Sequence, residues 1–99
     1  MANYYLTNKA IQDLSGIWNY TSGVWSEKQA DKYYSMLLNF CKEIAINPQK
    51  GRRYDQLSSN ILGCKTNQHI IFYRIVSTAE IEILRILHSS MDLRNRMQD

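Results

Sequence analysis

The chain reads as an α+β domain: a twisted antiparallel sheet with an N-terminal helical hairpin on one face, in the order β-α-α-β-β-β. Two observations predict this. Two apolar, β-branched runs, His69 to Val76 and Glu80 to His88, flank Ser77-Thr78-Ala79 and have neither the length nor the period of a helix. Upstream, apolar residues recur every three or four positions in two successive segments, which is helical spacing.

Taken in order, Tyr4-Tyr5-Leu6 makes a short β run, and Thr7 or Asn8 can cap the helix that follows. Its apolar residues fall at Ile11, Leu14, Ile17 and Trp18, which is helical spacing, with Ile17 and Trp18 expected to face the sheet. It is expected to end near Tyr20 to Ser22, with Gly23 free to take positive φ. Ser26 with Gln29 is a capping box for the second helix. Its stripe is Ala30, Tyr33, Leu37, Phe40, Cys41 and Ile44. Tyr34 lies beside that stripe and Leu38 off it, so either can touch a partner. Asn47-Pro48 stops the helix. Residues 47–60 read as a loop, with Lys50, Arg52 and Arg53 as a basic cluster able to contact phosphate or to sit in solvent. Tyr54 and Leu57 are expected to anchor it beneath the sheet edge. Ile61 to Thr66 is a strand, and Asn67-Gln68 a tight turn. The late strands should form an antiparallel meander, with the first strand joining at an edge.

Strict alternation puts Ile81, Ile83, Arg85 and Leu87 on one face of the last strand and Glu80, Glu82, Leu84, Ile86 and His88 on the other. On that reading Leu84 and Ile86 are exposed unless the tail or a partner covers them. Arg85 is either a partner contact or half of an ion pair with Asp92, Glu80 or Glu82. His88 either contacts nucleic acid or acts in acid–base chemistry, or it caps strand carbonyls. Lys65 and His69 read as sheet-surface residues.

The length of 99 residues suits one domain, 1–99, with residues 89–99 as a short C-terminal tail. Residues 1–46 hold four basic and four acidic residues, and residues 47–99 hold eight and five, so the net +3 lies in the second half. That bias is too weak to specify nucleic acid. No N-terminal basic region precedes an apolar run, and no stretch approaches a membrane span, so a cytoplasmic protein is expected, with Cys41 and Cys64 as free thiols. A Cys41–Cys64 bridge is the alternative. His69 and His88 lack further ligands at metal spacing, and no glycine-rich phosphate loop is present, so neither metal nor cofactor is expected.

Arg85-Ile86-Leu87-His88, followed after two residues by Met91-Asp92, resembles the closing motif of ParE toxins in the RelE/ParE superfamily of bacterial type II toxin–antitoxin systems. The resemblance spans nearly the whole chain. Tyr5-Leu6-Thr7 through Ala10, Asp13-Leu14 and Ile17-Trp18 resemble the family's first strand and helix. Trp25-Ser26, Gln29-Ala30 and Tyr33-Tyr34 resemble the start of its second helix, Asn47-Pro48 and Gly51 its exit, and Ile71 to Ile75 the penultimate strand. The resemblance implies a RelE/ParE-like fold and a ParD-like or related antitoxin that covers the helices and sheet, with Leu84, Ile86, Tyr34 and Leu38 as apolar candidates for that contact. It also implies either of two activities: poisoning of DNA gyrase without catalysis, as in ParE, or ribosome-dependent mRNA cleavage, as in RelE. Cleavage needs a base, an acid and cations around the phosphoryl group. Arg74, Arg85 and His88 are a thin set for that, so the resemblance favours gyrase, with Arg85, His88, Met91, Asp92 and Arg74 as motif residues.

Overall fold

The computed structural model describes residues 2–58 and 60–90. The order is β1 (Asn3–Leu6), α1 (Asn8–Val24), α2 (Glu27–Ile46), a 3-10 turn (Pro48–Lys50), β2 (Arg52–Arg53), β3 (Leu62–Thr66), β4 (His69–Ser77) and β5 (Glu80–His88). The five strands form one sheet in the order β1-β5-β4-β3-β2.

The sheet is mixed rather than wholly antiparallel. β2 to β5 make the expected meander, but β1 runs parallel to β5, with Asn3 opposite Glu80 and Leu6 opposite Ile83. A parallel neighbour needs a long crossover, and the helical pair with the meander supplies it. Segment 47–60, expected as loop, also holds the 3-10 turn and the two-residue edge strand β2.

Thr7 starts α1: its hydroxyl accepts from the Ala10 amide and donates to the Leu84 carbonyl, so the cap also ties the helix to β5. α1 runs through Gly23 to Val24 and closes with the Trp25 amide on the Thr21 carbonyl. No described glycine has positive φ; Asn60 and Asn67 do, and Asn67 turns β3 into β4. Ser26 caps α2 through the Gln29 amide. Trp18 does not turn to the sheet. Its indole N–H donates to Asp31 on α2 at 2.9 Å, because a half-buried indole needs an acceptor and α2 offers the nearer one.

The main core lies between helices and sheet, where Leu14, Leu37, Cys41 and Ile44 meet Ile71, Tyr73, Ile81, Ile83 and Ile86. Each such aliphatic side chain stabilises the fold by about 1.5–3 kcal/mol relative to exposure. A second cluster, Ile61, Ile70, Phe72 and Leu87, fills the opposite face beneath Tyr54 and Leu57. Tyr54 packs edge-on against Phe72, and a Cβ on Gly63 would run into the Tyr54 ring. Cys41 and Cys64 are both free thiols, and burial pushes Cys41 up to about 12.

The alternation along β5 breaks at a bulge. Tyr73 faces Ile83, but Phe72 faces Arg85, which leaves Leu84 as an extra residue. Every side chain beyond it changes face. Ile86 therefore joins the helix-side core with Ile81 and Ile83, and Leu87 joins the opposite cluster with Leu84. This corrects the expectation that Ile86 is exposed: it is 1% accessible. Leu84 is half-buried in the second cluster, and Leu38 is half-buried against the main core. Of the four apolar candidates only Tyr34 is exposed.

Candidate functional site

The Arg85-Ile86-Leu87-His88 run is built around Asp13. β1 covers β5 only as far as Ile83, so beyond it α1 borders the strand. Asp13 Oδ2 accepts from Arg85 Nε at 2.8 Å and from the Ile86 amide at 3.0 Å, while Oδ1 accepts from the other arm of the guanidinium at 3.1 Å. One carboxylate thus replaces the missing strand and neutralises Arg85, both side chains being mostly buried at 12% and 14% exposure. Among the described residues Arg85 pairs with Asp13, 72 residues away, while Glu82 pairs with Arg74 and Glu80 with Tyr5. Met91 and Asp92 lie outside the described residues.

Beside this pair a groove of about 540 Å³ runs between α1 and the far end of the sheet. α1 contributes Gln12, Gly16 and Tyr20 with Asp13, Ile17 and Thr21, two rows of i, i+4 neighbours. Trp25 closes one end, Tyr33 of α2 and Ile86 lie within, and Gln68, His69, Leu87 and His88 form the other wall. Tyr20 and Trp25 are 71% and 75% exposed, large aromatic surface beside an apolar groove.

His69 and His88 pair directly across β4 and β5, their rings 5.4 Å apart and edge to face. The Tyr33 hydroxyl lies 2.7 Å from His69 Nδ1. His88 Nδ1 receives the Ser90 amide at 3.1 Å and the Ser90 hydroxyl at 2.7 Å. Burial lowers the pKa of His69, the facing His88 lowers it further, and Asp13 pulls the other way. Burial raises the pKa of Tyr33, opposed by a hydrogen bond from the Gln68 backbone.

The nuclease trio does not converge. Arg85 is engaged by Asp13, and Arg74 is paired with Glu82 at 2.7 Å on exposed sheet surface. Arg74 lies five positions along β4 from His69, the partner of His88, which is roughly 17 Å. The basic cluster also disperses. Lys50 sits 4.8 Å over the Phe40 ring, Arg53 pairs with Asp55 at 3.4 Å, and Arg52 alternates with Arg53 along the edge strand. Among the described residues no three His, Cys, Asp or Glu side chains come together as a metal site.

Residues 4–93 match the family model described as ParE toxin of type II toxin–antitoxin system, parDE. The chain belongs to the ParE toxin family. Toxin ParE1 of Caulobacter vibrioides is 34% identical over 95% of this chain and 96% of its own length. Toxin ParE1 of Mycobacterium tuberculosis is 32% identical, covering 94% and 96%. Among solved structures, the chromosomal ParDE toxin–antitoxin system from P. aeruginosa superimposes with a TM-score of 0.74 at 20% identity, over 89% of this chain and 96% of that one. The toxin–antitoxin complex RelBE2 from Mycobacterium tuberculosis gives 0.68 at 16%, over 88% and 96%. These two share the fold. The groove residues of this ParE-family toxin that the linear reading passed over are Gln12, Gly16, Tyr20, Trp25, Tyr33 and Gln68. For Gln12, Gly16 and Tyr20 the signal is the i, i+4 row on α1, which the search for a buried stripe does not select; Trp25, Tyr33 and Gln68 are brought to the groove by the fold.

Proposed function

We propose that this toxin poisons DNA gyrase and is neutralised by a cognate ParD-like antitoxin, one apolar segment of which lies in the groove between α1 and the β4–β5 end. The observation that carries the reading is the family match over residues 4–93. The arrangement of Arg85 agrees with it, since a guanidinium held by two bonds to Asp13 is spent on structure and not on a phosphoryl group. The apolar groove, with Tyr20 and Trp25 at its rim, suits a partner segment that folds as it binds. The chain acts as one domain, with residues 89–99 as its tail. No described helix is long and apolar enough to cross a membrane, and a gyrase-directed toxin works in the cytoplasm.

The test is a supercoiling reaction with purified gyrase, plasmid, ATP and this protein. Accumulation of cleaved plasmid, relieved by adding antitoxin, is the expected result. Undisturbed supercoiling at a large molar excess of toxin overturns the gyrase reading.

A further inference from the structure

The His69–His88 pair is not used by the arrangement around Asp13, and its hydrogen bonds make it sensitive to protons. A backbone N–H only donates, so the Ser90 amide fixes His88 Nδ1 as an acceptor and puts that ring's proton on Nε2. Tyr33 and His69 share a hydrogen bond of 2.7 Å at Nδ1, whose direction follows the tautomer of His69. His88 therefore presents its Nδ1 lone pair to a donor, and a proton there opposes an amide that cannot turn away. A charged His69 carries a proton on both nitrogens, so the Tyr33 hydroxyl can then only accept from it.

The surroundings offer a new cation little compensation. On α1 the groove shows Asp13, both of whose oxygens are engaged by Arg85 and the Ile86 amide, and Tyr20. α2 contributes Tyr33, β4 His69 and β5 His88, and the Arg85 held by Asp13 lies beside the groove. Asp13 is the sole carboxylate among the described lining residues. The remaining walls are Ile17, Trp25, Ile86 and Leu87 with uncharged polar groups.

We propose that the facing His69–His88 pair makes this groove an acid-sensitive docking surface, in which a proton on the pair places a cation in an apolar groove, opposes the Ser90 amide where it sits on His88 Nδ1, and loosens the bound antitoxin segment. The inference rests on the groove being the antitoxin's seat. It deepens that reading by making neutralisation of the toxin depend on pH.

Two measurements test it. In the first, imidazole signals of the free chain are followed by NMR from pH 8 to pH 5. His69 is expected to titrate below 6.5, with the Ser90 amide and the Tyr33 ring shifting in the same range, and its step is expected to rise in His88→Asn. Titration of His69 at its ordinary value with Ser90 and Tyr33 unmoved overturns the proposal. In the second, purified antitoxin from the neighbouring reading frame is titrated onto the toxin at pH 7.5 and pH 5.5. Affinity is expected to fall up to about tenfold per pH unit below the His69 step, and the His69→Asn, His88→Asn double variant is expected to bind independently of pH. Equal affinity at both pH values in the wild type, or an unchanged pH dependence in the double variant, overturns it. Binding that survives replacement of Tyr20 and Ile17 by aspartate shows that the antitoxin sits elsewhere, and removes the docking reading while the titration of the free chain still stands.

Discussion

The two halves of β5 are built on different principles. From Glu80 to Ile83 the strand lies between β1 and β4, alternates strictly, and sends Ile81 and Ile83 into the core while Glu82 pairs with Arg74 on the surface. From Leu84 to His88 it has a strand on one side only. The other side is held by the Thr7 hydroxyl, the Asp13 carboxylate and the groove. The first half is laddered on both sides, with one extra residue on β4 at Val76, and β-branched runs suit such pairing. The second depends on particular side chains more than 70 residues distant, and the Arg85-Ile86-Leu87-His88 run that resembles the ParE closing motif lies there. Where backbone pairing runs out, specific chemistry must replace it, because buried amides and charges cannot be left unpaired.

The comparison breaks most severely if the second half loses a residue beyond the bulge. Deleting Ile86 leaves Arg85 or Leu87 to face Ile71 on the helix side, so that either a guanidinium enters the core or Leu87 and His88 change face; a loss of more than about 4 kcal/mol is expected, read as the absence of a cooperative urea transition. Next is Asp13→Ala, which removes the carboxylate that holds a mostly buried guanidinium and the Ile86 amide together. It should cost ~3–5 kcal/mol by chemical denaturation. Thr7→Ala removes the helix cap and the tie to Leu84, and about 1 kcal/mol is expected in the same measurement.

A pH series sharpens the contrast further. His69 lies below its ordinary value of 6.5 in the folded chain, so the unfolded chain takes this proton first. Its contribution to stability is complete above pH 6.5 and falls as the pH drops below that value toward the folded one. The midpoint of urea unfolding should decline across this window, and His69→Asn should flatten the slope. The smallest effect belongs to the first half: Glu82→Ala breaks an ion pair whose arginine side is 57% exposed, and about 0.5 kcal/mol or less is expected. A loss as large as that of Asp13→Ala would erase the distinction between the halves.

Periodicity made the two helices, their caps at Thr7 and Ser26, the three-stranded meander and the Asn67 turn legible in the linear chain. These features depend on residues within a few positions of one another. The direction of β1 was not legible, since a four-residue strand carries no mark of parallel or antiparallel pairing. The bulge at Leu84 was not legible either. A leucine suits either face of β5, and only the competition between the β4 register and the α1 contacts selects the extra residue. With the bulge unseen, Ile86 was assigned to the wrong face.

The candidate site divides in the same way. The sequence by itself determined the α+β class and, through Arg85-Ile86-Leu87-His88, the family to which the chain belongs. Local spacing and residue chemistry carry that much. Tertiary structure alone decided that Asp13 is the partner of Arg85, that the proposed nuclease trio stays apart, and that His69 and His88 face each other at the end of a groove walled by α1. The physical reason is that charge pairing and hydrogen-bond satisfaction are settled by proximity in the folded chain, and an aspartate in the first helix shows no sign along the sequence of the arginine it will meet.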